Sequence, residues 1–421
     1  MTRFRPFLIV FFLAFLFHSF SAGLTLTKQS NTPQYVYLAY SFLHRKVNLI
    51  ELPQSKFDLI KYEKKWYVPG GMAPALLMLP FVEVFGLNFS DIFFGILIAS
   101  INVSLIYILL GYVPQMSSQK RSWLTILFAA GTIHWWVSNF GNVWFNAHTV
   151  SVMFMILYVI ETLSSKRPWL AGLWLGFSVL SRPPTLFAAS FFLVYSLWQT
   201  RWQVIEATKK IVPFLAAFAF MLGIMLVYNE IRFGSPLNFG YDHLAVASPL
   251  VDVEQLYGSF SPAFMPCNIY VSLFGLPNFH TAQFTDRLCW HLTEISHEFP
   301  APYQMFDPRG LGIFFTTPAW LYIFKARLRE PMAAAAAIGI LSVLPVDWMY
   351  HNTGLVQYGY RYILDVIPLL FILVAMGMKN ITLPARYLIF ASMAMNVVGF
   401  ALMFSYRYEM TWSAMWLSIL K

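Results

Sequence analysis

Two arginines stand out in a chain that otherwise reads as lipid-soluble. Arg182 lies in FSVLSRPPTLF, and Arg361 in DWMYHNTGLVQYGYRYILDVIP, a stretch that also carries Asp347, His351, Gln357, Tyr358, Tyr360 and Asp365. A guanidinium keeps its charge at physiological pH and forks onto phosphate oxygens, so an arginine beside an apolar run suits an anion held at a lipid interface. For Arg182 the bland reading is snorkelling to lipid headgroups. For Arg361 it is an i, i+4 ion pair with Asp365 that locks a helix.

Acids that could pair with such a phosphate site occur early in the chain. Glu51, Asp58 and Glu63 lie among Lys56, Lys61, Lys64 and Lys65. A carboxylate beside lysines stays ionised and can take a proton or bind a cation; a solvated, charge-balanced loop is the plain alternative. The segment WWVSNFGNVWFNAH, from Trp135 to His148, mixes tryptophans with amides and histidines. Aromatic faces and side-chain amides suit sugar rings, which makes Trp144, Asn146 and His148 substrate-binding candidates together with Tyr360. An interfacial aromatic belt is the alternative there. HLTEISHE places His291, Glu294 and Glu298 on one helical face with His297 near its edge, yet HxxExxHE is not the HExxH zinc pattern, and a surface helix is the better reading. Cys267 and Cys289 form either a disulfide or two free thiols.

These residues must be positioned by membrane helices. Of 421 residues, 58% are hydrophobic and 11% charged, far below the quarter expected of a soluble domain. The net charge of +9 is scattered in short clusters between apolar runs rather than gathered in a patch, which argues against nucleic acid. Apolar runs lie at 6–26, 91–113, 122–140, 147–163, 168–181, 183–199, 211–228, 310–324, 331–347, 361–378 and 385–405, so the expected fold is a single all-α polytopic membrane domain over 1–421 with about eleven spans. Arg3 and Arg5 before the first run resemble a signal peptide, but a retained first span is expected. The segment 72–85 is apolar but short, with two internal prolines. If it does not span and the N-terminus is cytoplasmic, the inside loops hold 14 basic residues against three acids. If it spans, every later basic cluster faces outward. A juxtamembrane or re-entrant helix is therefore expected there. Loops 27–90 and 229–309 then face outward, with turns at 141–146, 181–184 and 348–360, and the unusual polar residues collect on that face. Within the first loop, Tyr35, Leu38, Phe42 and Leu49 are spaced as an amphipathic surface helix. Prolines 183 and 184 are expected to start a returning helix after Arg182.

The order of these features resembles the GT-C superfold. A first span is followed by an outer loop with a surface helix, then YVP…PALLMLPFVEVFGL…SDIF, SRPP and GYRYILDVIP. GT-C proteins are integral-membrane glycosyltransferases that use polyprenyl-phosphate sugars, akin to protein mannosyltransferases and aminoarabinose transferases. The resemblance covers nearly the whole chain and implies an inverting transferase of the bacterial inner membrane, with its site outside. Its partners would be a polyprenyl-phosphate-linked sugar, a lipid, glycan or protein acceptor, and membrane lipids. It implies that Arg182 and Arg361 hold the lipid phosphate and that a first-loop acid acts as base or binds a divalent cation (Mg or Mn), no other cofactor being certain. Family members carry an aspartate early in that loop, where this chain has SNTPQYVYLAY. Asp58 is the favoured substitute and Glu51 the second. Lipid-linked glycan polymerases or ligases, a lipid-linked sugar flippase, and a non-catalytic relative are the competing readings.

Overall fold

The computed structural model describes residues 4–244, 248–278, 282–297, 306–409 and 411–419. Helices dominate, because a lipid environment gives the backbone no hydrogen-bond partner outside its own segment. Among the described residues, six helices are long and apolar enough to cross a membrane by length and composition: Arg5–Thr25, Asp91–Leu110, Val143–Ser164, Val204–Phe233, Pro331–Trp348 and Leu383–Tyr408. The other five expected runs form shorter or interrupted helices. The run 122–140 divides into Ser118–Ala130 and His134–Asn139, with Gly131 closing the first piece. The run 168–181 yields the helix Pro168–Val179.

Proline chemistry shapes the remaining three. Its fixed φ and missing N–H suit the first turn of a helix best, although Pro80, Pro213 and Pro345 are carried inside longer helices. Pro183 opens the 3-10 helix Pro183–Ala188, which leads into Ala189–Gln199. Pro318 opens the 3-10 helix Pro318–Lys325 after the single turn Ile313–Thr316. Arg361–Val366 is likewise 3-10 and precedes Ile367–Gly377, where Pro368 occupies the first turn. The expectation that the two prolines after Arg182 begin a returning helix matches this geometry.

The first loop differs from a simple surface helix. Gln34–Leu43 buries Tyr35 and Leu38, and it packs along Ala73–Phe85. Leu49 falls beyond the helix end, where its N–H donates to the Trp66 carbonyl at 2.8 Å. A short hairpin pairs Ile60–Tyr62 with Lys65–Tyr67, a small departure from an all-α chain. Glu63 and Lys64 make its two-residue turn, both with positive φ as such tight turns require. Ala73–Phe85 has 13 residues, and at about 1.5 Å per residue it falls well short of a bilayer core of roughly 30 Å. Its entry is anchored: the Ala73 N–H donates to the Leu180 carbonyl at 2.9 Å. A Cβ on Gly71 would overlap that same carbonyl, so only glycine allows the approach. The first loop is thereby fastened to the turn that presents Arg182.

In the second loop Cys267 and Cys289 form a disulfide that ties the helix Met265–Phe274 to the end of Ala282–Leu288. This decides between the two readings that the sequence left open.

Candidate functional site

A cavity of about 700 Å³ opens where the segments expected to face outward converge. Asp58 enters from the first loop, Trp144 from the start of Val143–Ser164, and Arg182 from the proline turn. Asp347, Tyr350 and Arg361 come from the stretch around 347–361, and Arg407 from the end of Leu383–Tyr408. A second, more apolar cavity of about 600 Å³ adjoins it and shares Pro184, Tyr241 and Phe260; Leu186, Phe187, Leu237 and Phe239 are among its other lining residues, with Ser235, Asn238 and Ser259 as its polar ones.

Arg182 precedes a proline, which disfavours helical backbone, and it is extended at φ −136° and ψ 98°. Its side chain is buried in a cage of carboxylates. Nε and a terminal nitrogen donate to Asp365 at 3.1 and 2.8 Å, and Asp347 lies 3.5 Å away. His148 Nδ1 meets the other oxygen of Asp365 at 3.1 Å. The expected Arg361–Asp365 pair is therefore not formed. In a 3-10 helix, with three residues per turn, positions i and i+4 lie about 120° apart rather than on one face. Asp365 turns to Arg182 instead.

Arg361 is held by backbone. Its guanidinium donates to the carbonyls of Gly354 and Leu355, and its N–H donates to Gln357 Oε1 at 3.0 Å. Gln357 is fixed in turn through donation to the Arg309 and Thr353 carbonyls. Gly354 sits at φ +107°, and a Cβ there would lie 3.0 Å from the Arg361 guanidinium carbon and 2.8 Å from Gln357 Oε1. Arg361 Nε is buried without a hydrogen-bond partner. Its hydrogen bonds go to carbonyls and the carboxylate whose charge reaches it is Asp58, whereas the Arg182 cage carries two carboxylates.

Asp58 occupies the left-handed region at φ 61° and accepts a hydrogen bond from Trp144 Nε1 at 2.8 Å. Burial raises its carboxyl to a pKa of about 6, with the Trp144 bond and the Arg361 charge pulling the other way.

The other candidates lie off the cavity. Glu51 is exposed. Asn146 is buried and donates to the Asp91 carbonyl at 3.2 Å. His148 stands behind Arg182 on Asp365. Tyr360 is buried with its hydroxyl 3.4 Å from the Asp347 carbonyl. Of the acidic and histidine motif at 291–298, Glu298 lies outside the described residues. Among the described residues no group of three or more His, Cys, Asp or Glu could hold a metal ion. No step is assigned to a divalent cation.

Sequence reasoning passed over Tyr362 and Arg407. The Tyr362 ring lies 5.0 Å from the Arg182 guanidinium and 5.3 Å from that of Arg361. The signal for Arg407 was present, since Tyr406–Arg407–Tyr408 repeats the order Tyr360–Arg361–Tyr362.

No family model matches the chain, and no curated protein matches it. Solved structures do. The oligosaccharyltransferase of Archaeoglobus fulgidus in complex with Zn and sulfate aligns with a TM-score of 0.50 at 12% identity, over 93% of this chain and 51% of that one. ArnT from Cupriavidus metallidurans bound to undecaprenyl phosphate gives 0.48 at 13% identity, over 94% and 63%. AglB from Archaeoglobus fulgidus, in complex with an inhibitory peptide and a dolichol-phosphate, gives 0.48 at 13%, over 88% and 50%. The chain spans about half to under two thirds of the length of these proteins. It is an integral-membrane protein of the GT-C fold.

Proposed function

We propose that the chain is a membrane glycosyltransferase that moves a sugar from a polyprenyl-phosphate donor to an acceptor at the extracytoplasmic face. The observation that carries this reading is one cavity that gathers Asp58, Trp144, Arg182 and Arg361 and adjoins an apolar cavity. An amphiphilic ligand fits such a pair: its phosphate beside Arg361, its first isoprene units against Leu186, Phe187, Leu237 and Phe239. The two outer loops share the side of the molecule on which the cavity opens, and the disulfide supports an oxidising exterior for it.

The chemistry follows from these groups. The acceptor hydroxyl gives its proton to the Asp58 carboxylate while its oxygen bonds to the sugar's anomeric carbon. The bond from that carbon to the phosphate oxygen breaks on the opposite side, which inverts the centre, and the lipid phosphate leaves with its electron pair. The phosphate passes from one negative charge in the donor to two in the leaving group. A guanidinium fixed beforehand at that point binds the transition state more tightly than the donor. Trp144 orients Asp58 and presents its indole to the sugar.

Purified protein supplied with undecaprenyl-phosphate sugars and a panel of acceptors is expected to release undecaprenyl phosphate. Arg361→Ala should lower kcat roughly 10²–10³-fold, the cost of losing one preorganised donor at developing charge, with melting temperature unchanged. Absence of release by the wild-type chain across the panel overturns the reading, and transbilayer movement of intact donor would point to a flippase instead.

A pH profile adds an independent check. Turnover should rise through pH 6 and level off above it, as Asp58 ionises. Trp144→Phe removes a donor that favours the carboxylate, so the rising limb should move to higher pH by up to roughly one unit. A limb that stays in place would detach Asp58 from the proton transfer.

A further inference from the structure

We infer that the outer face of the first loop around Lys56, Lys61 and Trp66 is where the acceptor docks, and that the acceptor is a glycan carrying carboxylate or phosphate groups. This rests on the reading of the cavity as a transferase site and names its second substrate by class. The sequence offers this loop as charge-balanced, and the fold undoes the balance. Between residues 44 and 67 the exposed lysines and arginines are Arg45, Lys46, Lys56, Lys61, Lys64 and Lys65, against Glu51 and Glu63 as exposed acids. The third acid, Asp58, is turned to Trp144 Nε1 at 2.8 Å in the cavity. None of the six cations forms an ion pair with a described residue. Two of them gather on one ring: Lys56 Nζ lies 5.5 Å and Lys61 Nζ 5.6 Å from the centre of Trp66. The hairpin fixes half of this arrangement, because Lys61 stands opposite Trp66 in the ladder and cross-strand partners share a face. Ile60 and Tyr67 lie on the other face, buried with Phe233, which leaves the Lys61–Trp66 face outward. Lys56 is placed by its neighbours, since Ser55 and Phe57 both line the cavity that holds Asp58. An aromatic face attracts an exposed ammonium only weakly, so the ring gathers the two lysines without cancelling their charge. Charge of one sign at the mouth of a cleft raises the local concentration of ligands of the other sign. The partly exposed rings of Phe57 and Trp66 beside these cations suit the C–H faces of sugars. Acid groups on the acceptor meet the lysines while one of its hydroxyls reaches Asp58.

The test measures binding of fluorescent oligosaccharides to the full-length protein in nanodiscs of zwitterionic phosphatidylcholine. The probes are an oligogalacturonate, a phosphorylated maltooligosaccharide and a neutral maltooligosaccharide of equal length. The wild type should bind one or both acidic probes more tightly than the neutral one, with affinity falling as salt is raised. The preferred probe identifies the acid as carboxylate or phosphate. Lys56→Gln combined with Lys61→Gln should weaken acidic binding roughly 3- to 20-fold, the range for two exposed charge contacts, and leave neutral binding unchanged. Lys209→Gln combined with Lys210→Gln, at the far end of Val204–Phe233 from the first loop, should change neither. Equal binding of acidic and neutral probes by the wild type overturns the inference and leaves the lysines to the lipid surface. An equal loss for all probes in the Lys56 and Lys61 variant, or an equal loss of acidic binding in the Lys209 and Lys210 variant, refutes it too. Undecaprenyl phosphate release is read separately. A chain that transfers sugar yet binds all probes alike loses the acidic acceptor and keeps the transferase, whereas one that binds acidic probes selectively yet releases no lipid phosphate loses the transferase.

Discussion

Arg182→Met is expected to be the most destabilising single substitution around the cavity. It leaves Asp365 and Asp347 buried without their shared cation, and breaking a buried ion pair from one side costs about 3–5 kcal/mol. Two carboxylates stranded together place the effect at the upper end. Asp347→Asn should cost far less, because Asp365 still engages Arg182 through two nitrogens. Thermal unfolding of the purified variants in detergent checks both. If Arg182→Met melts with the wild type, the cage is not structural, and Arg182 returns to the role of a direct phosphate ligand that its position in the sequence first indicated.

Asp58→Asn should abolish most transfer while the fold persists. The amide is isosteric and still accepts the Trp144 hydrogen bond, so the geometry is kept and only the base is lost. General-base catalysis contributes on the order of 10²–10⁴-fold, which is the expected fall in kcat. Binding of undecaprenyl phosphate should be unaffected, since no proton is transferred in that step. Turnover within tenfold of wild type would show that the acceptor needs no carboxylate here, or that another acid serves.

These expectations differ in how far the bare sequence could have reached them. The turn around Arg182 was legible because proline chemistry is local: two prolines after an arginine leave little choice of backbone. The grouping of Asp58, Trp144, Arg182 and Arg361 was also foreseeable, since charge bias placed their segments on one side. The partner of Asp365 was not. Sequence spacing nominated Arg361, four residues away, but the segment winds as a 3-10 helix and the carboxylate meets a residue 183 positions earlier. Run 122–140 likewise reads as one span by hydropathy, and only Gly131 hints at the break. Asn146 and His148 occupy a helix that reaches the cavity at Trp144 and then turns its later residues into the core. Their types suited a sugar site; their register did not bring them to it.

The origin of the cavity wall bears on how the protein is made. Its residues run from Asn31 to Glu409 along the chain. During synthesis the first loop can dock on the Arg182 turn early, through Gly71 and Ala73, but the cage closes only when Asp347 and Asp365 arrive. The cavity wall is finished later still, by the end of Leu383–Tyr408. Until then the two carboxylates that cage Arg182 are missing, so water, lipid headgroups or the membrane insertion machinery must meet its charge. Loss of a chaperone or of anionic lipid should therefore weigh on yield of this protein before it weighs on its stability once folded.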